Sequence, residues 1–160
     1  MRSLSVAALA ILSASALADD PPRPFTGKVV KIADGDTITV LHNKTQHRIR
    51  LEGIDAPEKG QAYGAKARQT LADKIFGQKV RVDWTKRDCY GRIIGRVYLG
   101  ERDISLEMVK DGFAWHYKRY SKEAALADAE KEARKAGRGL WSDREPTPPW
   151  EWRRERKAKK

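Results

Sequence analysis

Four acids and two arginines in this chain are spaced so that they could work together. Asp34 and Asp36 bracket Gly35, and Asp55 and Glu58 lie in the stretch 52–60 (EGIDAPEKG). If the segments on either side of Asp36 and before Asp55 pair as strands, these two carboxylates meet at one rim of a sheet. Two carboxylates, a backbone carbonyl and waters would make an oxygen-only site. Hard cations such as Ca2+ take 6–8 oxygen ligands at about 2.3–2.6 Å. Such a site needs neither imidazole nor thiolate, and the chain has three His and one Cys.

Arg50 precedes Asp55 by five residues, and Arg92 follows Tyr90-Gly91. Both fall near the ends of expected strands. A phosphodiester moving to its pentacoordinate transition state gains equatorial negative charge. Guanidinium forks match that geometry bidentately and stay protonated. A cation and two arginines could neutralise the charge while a carboxylate orients or deprotonates a water. Taken singly, each residue has a plainer account. Asp-Gly is a hairpin turn signal, Asp55 could be a loop acid ahead of Pro57, and most arginines on a basic protein are solvated.

The elements that would hold these residues are legible as alternation. Residues 25–33 and 36–41 flank Asp34-Gly35 as a hairpin, and 46–51 (QHRIRL) sets Ile49 and Leu51 on one face against Arg48 and Arg50 on the other. Residues 62–76 carry Ala67, Leu71 and Ile75 at helical spacing, ending at Gly77. Residues 79–84 and 93–99 are two further strands. Asp103 is placed to cap a helix through Lys110, and Ser121 a longer one ending before Gly137. The expected fold is α+β, a five-stranded antiparallel OB-like barrel with three helices.

The three blocks Asp34-Gly35-Asp36-Thr37, Arg50 through Glu58 (RLEGIDAPE) and Asp88 through Arg92 (DCYGR), with Gly139-Leu140-Trp141 near the end, resemble the staphylococcal nuclease (thermonuclease) family. The resemblance runs from about Phe25 to Trp141. It implies that Asp36 and Asp55, with the backbone carbonyl of Ala56, are Ca2+ ligands. It implies that Glu58 serves the attacking water and that Arg50 and Arg92 bind the phosphate. Tyr90 resembles a nucleotide-binding residue, and Tyr120 is a second candidate. The implied reaction is Ca2+-dependent hydrolysis of DNA and RNA, with little sequence preference, to 3′-phosphate ends. The loop after Glu58 is shorter than in the family's best-known member. A non-catalytic nucleic-acid-binding module is the alternative; the presence of all five acid and arginine side chains argues against it.

The rest of the chain sets the context. A length of 160 residues suits one domain, and a single cysteine permits no internal disulfide or CxxC zinc site. The formal charge of +11 favours a polyanionic partner. Residues 1–18 read as a signal peptide cleaved after Ala18, with an apolar run too short to span a bilayer, so a secreted or periplasmic protein is expected. The nuclease domain is placed at 25–142. Residues 143–160 are a Pro-containing linker and a basic tail, either solvated or tethering phosphates. His42, His47 and His116 are expected on the surface and Trp84, Trp115 and Trp141 in the core. A monomer with no obligate protein partner, and no stable membrane insertion after cleavage, is the default.

Overall fold

The computed structural model describes residues 20–159, so the expected signal peptide lies outside the described residues. Five long strands build the body: β1 (Phe25–Asp34), β2 (Thr37–His42), β3 (Thr45–Leu51), β5 (Lys79–Arg87) and β6 (Ile93–Leu99). They pair in the order β3-β2-β1-β5-β6, and β3 then meets β6 to close a barrel. Every neighbouring pair in that order is antiparallel, but the closing pair is parallel, with Ile49 opposite Ile93 and Leu51 opposite Gly95. Strict alternation around a ring needs an even number of strands, so a five-stranded barrel must contain one parallel seam. The expected all-antiparallel barrel is corrected at this one place.

Alternation along the strands fills the interior. Val29, Ile38, Val40, Ile49, Leu51, Val80, Val82, Ile93 and Val97 point inward, while Arg48 and Arg81 point out. Two short pairings flank the barrel: β4 (Ile54–Asp55) with β8 (Trp115–His116), and β7 (Arg102–Asp103) with β6. Helix α1 (Gly64–Ile75) buries the expected Ala67, Leu71 and Ile75. Asp103 caps α2 (Ile104–Lys110), its carboxylate accepting from Leu106 N. Helix α3 (Ala124–Lys135) starts after Glu123, and Ser121 instead accepts from the Glu123 N–H.

Two further features depart from expectation. Pro149–Ala158, read from sequence as part of a tail, forms a fourth helix, α4, so the described residues hold four α-helices and a 3-10 turn at Gly139–Ser142. Pro149 sits in its first turn and is buried, with Glu151 in that turn and Arg156 and Lys157 in the last, in keeping with the helix dipole. His47 and His116 are buried rather than on the surface. The three tryptophans are buried as expected; Trp115 and Trp141 form a second small cluster with Ala133 and Leu140, against which Trp150 of α4 packs.

Candidate functional site

The register of β2 on β3 creates the site. Thr37 pairs with Arg50, so Asp36 and Arg50 emerge together at the barrel rim. Leu51 N donates to Asp36 O at 2.8 Å, fixing the hairpin turn against the end of β3. The chain then turns at Gly53 and returns as β4, which brings Asp55 beside them. Gly35 is required by close approach: a Cβ there would lie 2.7 Å from the Cβ of Ala67 and 2.8 Å from that of Ala56. The acid-bearing turn can therefore settle onto both α1 and the segment after β4.

Arg50 joins the acids. Its Nη2 lies 3.2 Å from Asp36 Oδ2 and 3.1 Å from Asp55 Oδ1, and its Nη1 donates to Leu51 O at 2.8 Å. Ala56 N donates to Asp36 Oδ2 at 2.7 Å, and Thr37 Oγ1 donates to Asp36 Oδ1 at 3.1 Å. Asp36 is 5% exposed and Asp55 only 1%, depths at which an ionised carboxylate needs strong compensation. Burial pushes the Asp55 carboxyl up from its ordinary value, despite the opposing pull of Arg153 and Arg50. Burial and the charge of Asp36 push Asp34 up to about 7.

The remaining expected residues are distributed around this pair. Arg92 is held by Asp88, whose carboxylate accepts from Arg92 Nε at 2.7 Å and from its backbone N–H at 2.9 Å. Arg92 Nη1 reaches to 3.4 Å from Thr37 Oγ1, which places this second guanidinium at the same rim as Asp36. The Glu58 side chain is half-buried next to Asp55, and both acids bond the same guanidinium nitrogen of Arg153. Tyr90 is exposed on the turn before Arg92, whose Cζ stands 5.5 Å from the ring centre. Tyr120 is also exposed, packs edge-on against Tyr117 and stands outside the hydrogen-bond network of the acids.

Three participants escaped the sequence reading. Arg153 of α4 donates from Nη1 to Asp55 Oδ1 (3.1 Å) and Glu58 Oε1 (2.6 Å), and from Nη2 to Asp55 Oδ2 (2.7 Å). The Asp55 hydrogen bonds, opposed by burial, hold this guanidinium more firmly protonated than usual. Gln61 accepts from Glu58 N at 3.0 Å and donates to Thr147 O at 2.7 Å, which ties the Glu58 loop to the segment leading into α4. Thr37 connects Asp36 with Arg92. Local pattern could have revealed α4, through Pro149 and the charge order along it; nothing local announces its contact with a residue 98 positions away.

The donor set can be tested for the kind of group it would hold. Among the described residues no three His, Cys, Asp or Glu side chains converge as a ready-made cage. Two buried carboxylates beside the Ala56 backbone suit an oxygen-liganded, partly hydrated cation and not tetrahedral zinc.

Comparison with known proteins places the chain in a family. Residues 48–143 match the family model described as staphylococcal nuclease homologue. The chain is 46% identical over 165 residues to a micrococcal nuclease of Shigella flexneri, covering 96% of this chain and 92% of that protein. It is 44% identical over 133 residues to an uncharacterized endonuclease of Haemophilus influenzae, covering 82% of this chain and 75% of that one. The chain belongs to the staphylococcal nuclease family.

Proposed function

We propose that this protein is a Ca2+-dependent nuclease that hydrolyses the phosphodiesters of DNA and RNA with little sequence preference, leaving 3′-phosphate ends. The observation that carries the reading is Arg50 lodged between Asp36 and Asp55 at a barrel rim that Arg92 also reaches. Asp36, Asp55 and the Ala56 carbonyl would hold the cation, which when bound supplies Lewis-acid neutralisation of phosphate charge. Arg50 and Arg92 each present guanidinium N–H groups to the phosphate oxygens, where negative charge grows in the transition state. Glu58 Oε1 accepts the proton of the attacking water and orients it in line. Thr37 and Asp88 keep Arg92 aimed. Tyr90 and Tyr120 offer ring faces to nucleotides, and the excess of Lys and Arg draws the polyanion in without reading base edges. Export as a monomer after cleavage at Ala18 completes the proposal.

One experiment tests it. Purified 19–160 should degrade plasmid DNA and RNA in Ca2+ and stop in excess chelator, and end-labelling should find 3′-phosphates. Undiminished digestion in chelator refutes the cation role. Tight binding without cleavage in Ca2+ would favour the non-catalytic binding module.

A further inference from the structure

Arg153 occupies the carboxylates that the proposed cation and the proposed water-activating step both need. Its fork engages both oxygens of Asp55, and the same Nη1 holds Glu58 Oε1 at 2.6 Å. Asp55 Oδ1 already accepts from both Arg50 and Arg153, and Oδ2 from Arg153, so a cation must compete for this carboxylate, and a divalent ion beside Asp36 and Asp55 would meet the Arg153 charge at short range. Glu58 Oε1 is a weaker base and less free to meet a water while it accepts a charge-assisted hydrogen bond from Arg153.

The helix that carries Arg153 is docked from two directions. Trp150 stacks on Tyr117, rings 5.4 Å apart and 2° from parallel, and meets Trp115 edge-on, also at 5.4 Å. The segment entering α4 is held through Thr147 O by Gln61, the side chain that also fastens Glu58 N. Apart from the Arg153 fork itself and the buried Pro149, the helix is held by one aromatic stack, one edge contact and one hydrogen bond, and its outer face is charged. Arg153 is itself about one-third exposed, so water can replace Asp55 and Glu58 around it.

We propose that α4 is an autoinhibitory latch: Arg153 stands in for the cation on Asp55 and restrains Glu58, and cation loading releases Arg153 from both. The proposal rests on the cation reading above. In the cation-free protein Arg50 and Arg153 share Asp55, and the cation takes the place of Arg153. It also makes the basic end of the chain a regulatory element of the acidic centre.

The test uses the full chain without added nucleic acid. Ca2+ is titrated calorimetrically into the wild type, Arg153→Gln and Trp150→Ala, with circular dichroism confirming that each is folded. Arg153→Gln should bind Ca2+ about tenfold more tightly, the scale of removing one charge-assisted competitor. Trp150→Ala leaves the acids and Arg153 intact but loosens the dock, and should also tighten binding, by a smaller factor. Hydrogen exchange on the wild type should show the 149–158 amides exchanging faster in Ca2+ than in chelator. Ca2+ binding that Arg153→Gln leaves unchanged or weakens, or α4 amides equally protected in both conditions, overturns the latch alone. Absence of Ca2+ binding in all three folded proteins overturns the cation reading, and the latch with it.

Discussion

Thr37 and Arg50 face each other across β2 and β3, and that single register pair sets both ends of the site. Thr37 Oγ1 donates to Asp36 and accepts from Arg92, while Arg50 bridges Asp36 and Asp55. Side chains alternate faces along a strand, so a one-residue slip of β3 would exchange Arg50 for Ile49 or Leu51 at the rim. The rim site thus depends on a backbone register before it depends on any side-chain chemistry.

Arg50→Lys should lower turnover about 100-fold, the scale of losing one preorganised electrostatic group. One ammonium cannot reproduce a planar fork that touches Asp36, Asp55 and Leu51 O together. Arg92→Ala and Glu58→Ser should each cost at least about as much. Steady-state cleavage of a labelled oligonucleotide measures all three. Near wild-type rates throughout would refute the site.

Gly64→Ala should cut activity more than stability. A Cβ at Gly64 would lie 2.1 Å from the Glu58 carbonyl oxygen, so the 58–61 loop must shift. Overpacking of this kind costs about 1–3 kcal/mol. The displaced element carries Glu58, and small misplacements of a reacting group lose disproportionate rate. Urea unfolding and cleavage rates on the same preparation separate the two effects; a stability loss with an unchanged rate would show that the Glu58 position is uncritical.

The sequence exposed whatever is local and periodic. Inward alternation gave the strands, and Asp103 announced its helix cap. Arg50, Asp36 and Asp55 could be gathered at one rim because short turns join the segments bearing them. The parallel seam between β3 and β6 was hidden, because it joins segments separated by α1 and β5. Arg153 was hidden more deeply: its positive charge looked like any other in a strongly basic tail. Only folding shows that it lies against the most buried acid of the site. Ser121 had the right type for a cap, yet the helix begins three residues later and its hydroxyl serves the loop instead.

Ca2+ should raise thermal stability. A ligand bound only by the folded state contributes about 2.7 kcal/mol at 100 times its dissociation constant. Asp36 and Asp55 come together only on folding, so the unfolded chain should compete poorly. Differential scanning calorimetry in Ca2+ and in chelator should show a higher Tm with the ion, and Asp55→Asn should erase most of the difference. An equal shift in that variant would place the ion elsewhere.

Away from the site, Glu107 of α2 should impose an acid-sensitive step on folding. Arg102 binds both its oxygens at 2.7 Å, and Lys74 of α1 adds a contact at 3.0 Å. The Arg102 hydrogen bonds, with help from Lys74 and against a burial effect, hold the carboxyl down at about 2, from an ordinary value of 4.5. A carboxyl depressed on folding contributes stability that is full above its unfolded value and is lost as pH falls toward its folded one. The window is therefore between about pH 4.5 and pH 2. Glu107→Gln should destabilise the protein by about 1 kcal/mol at pH 7, less than the full shift implies because solvent screens the exposed Arg102 side. The gap between variant and wild type should narrow steadily as pH falls from 5 to 3. Urea midpoints at matched pH values measure it, and a gap that stays constant across that range would mean that Glu107 acts through packing and not through its charge.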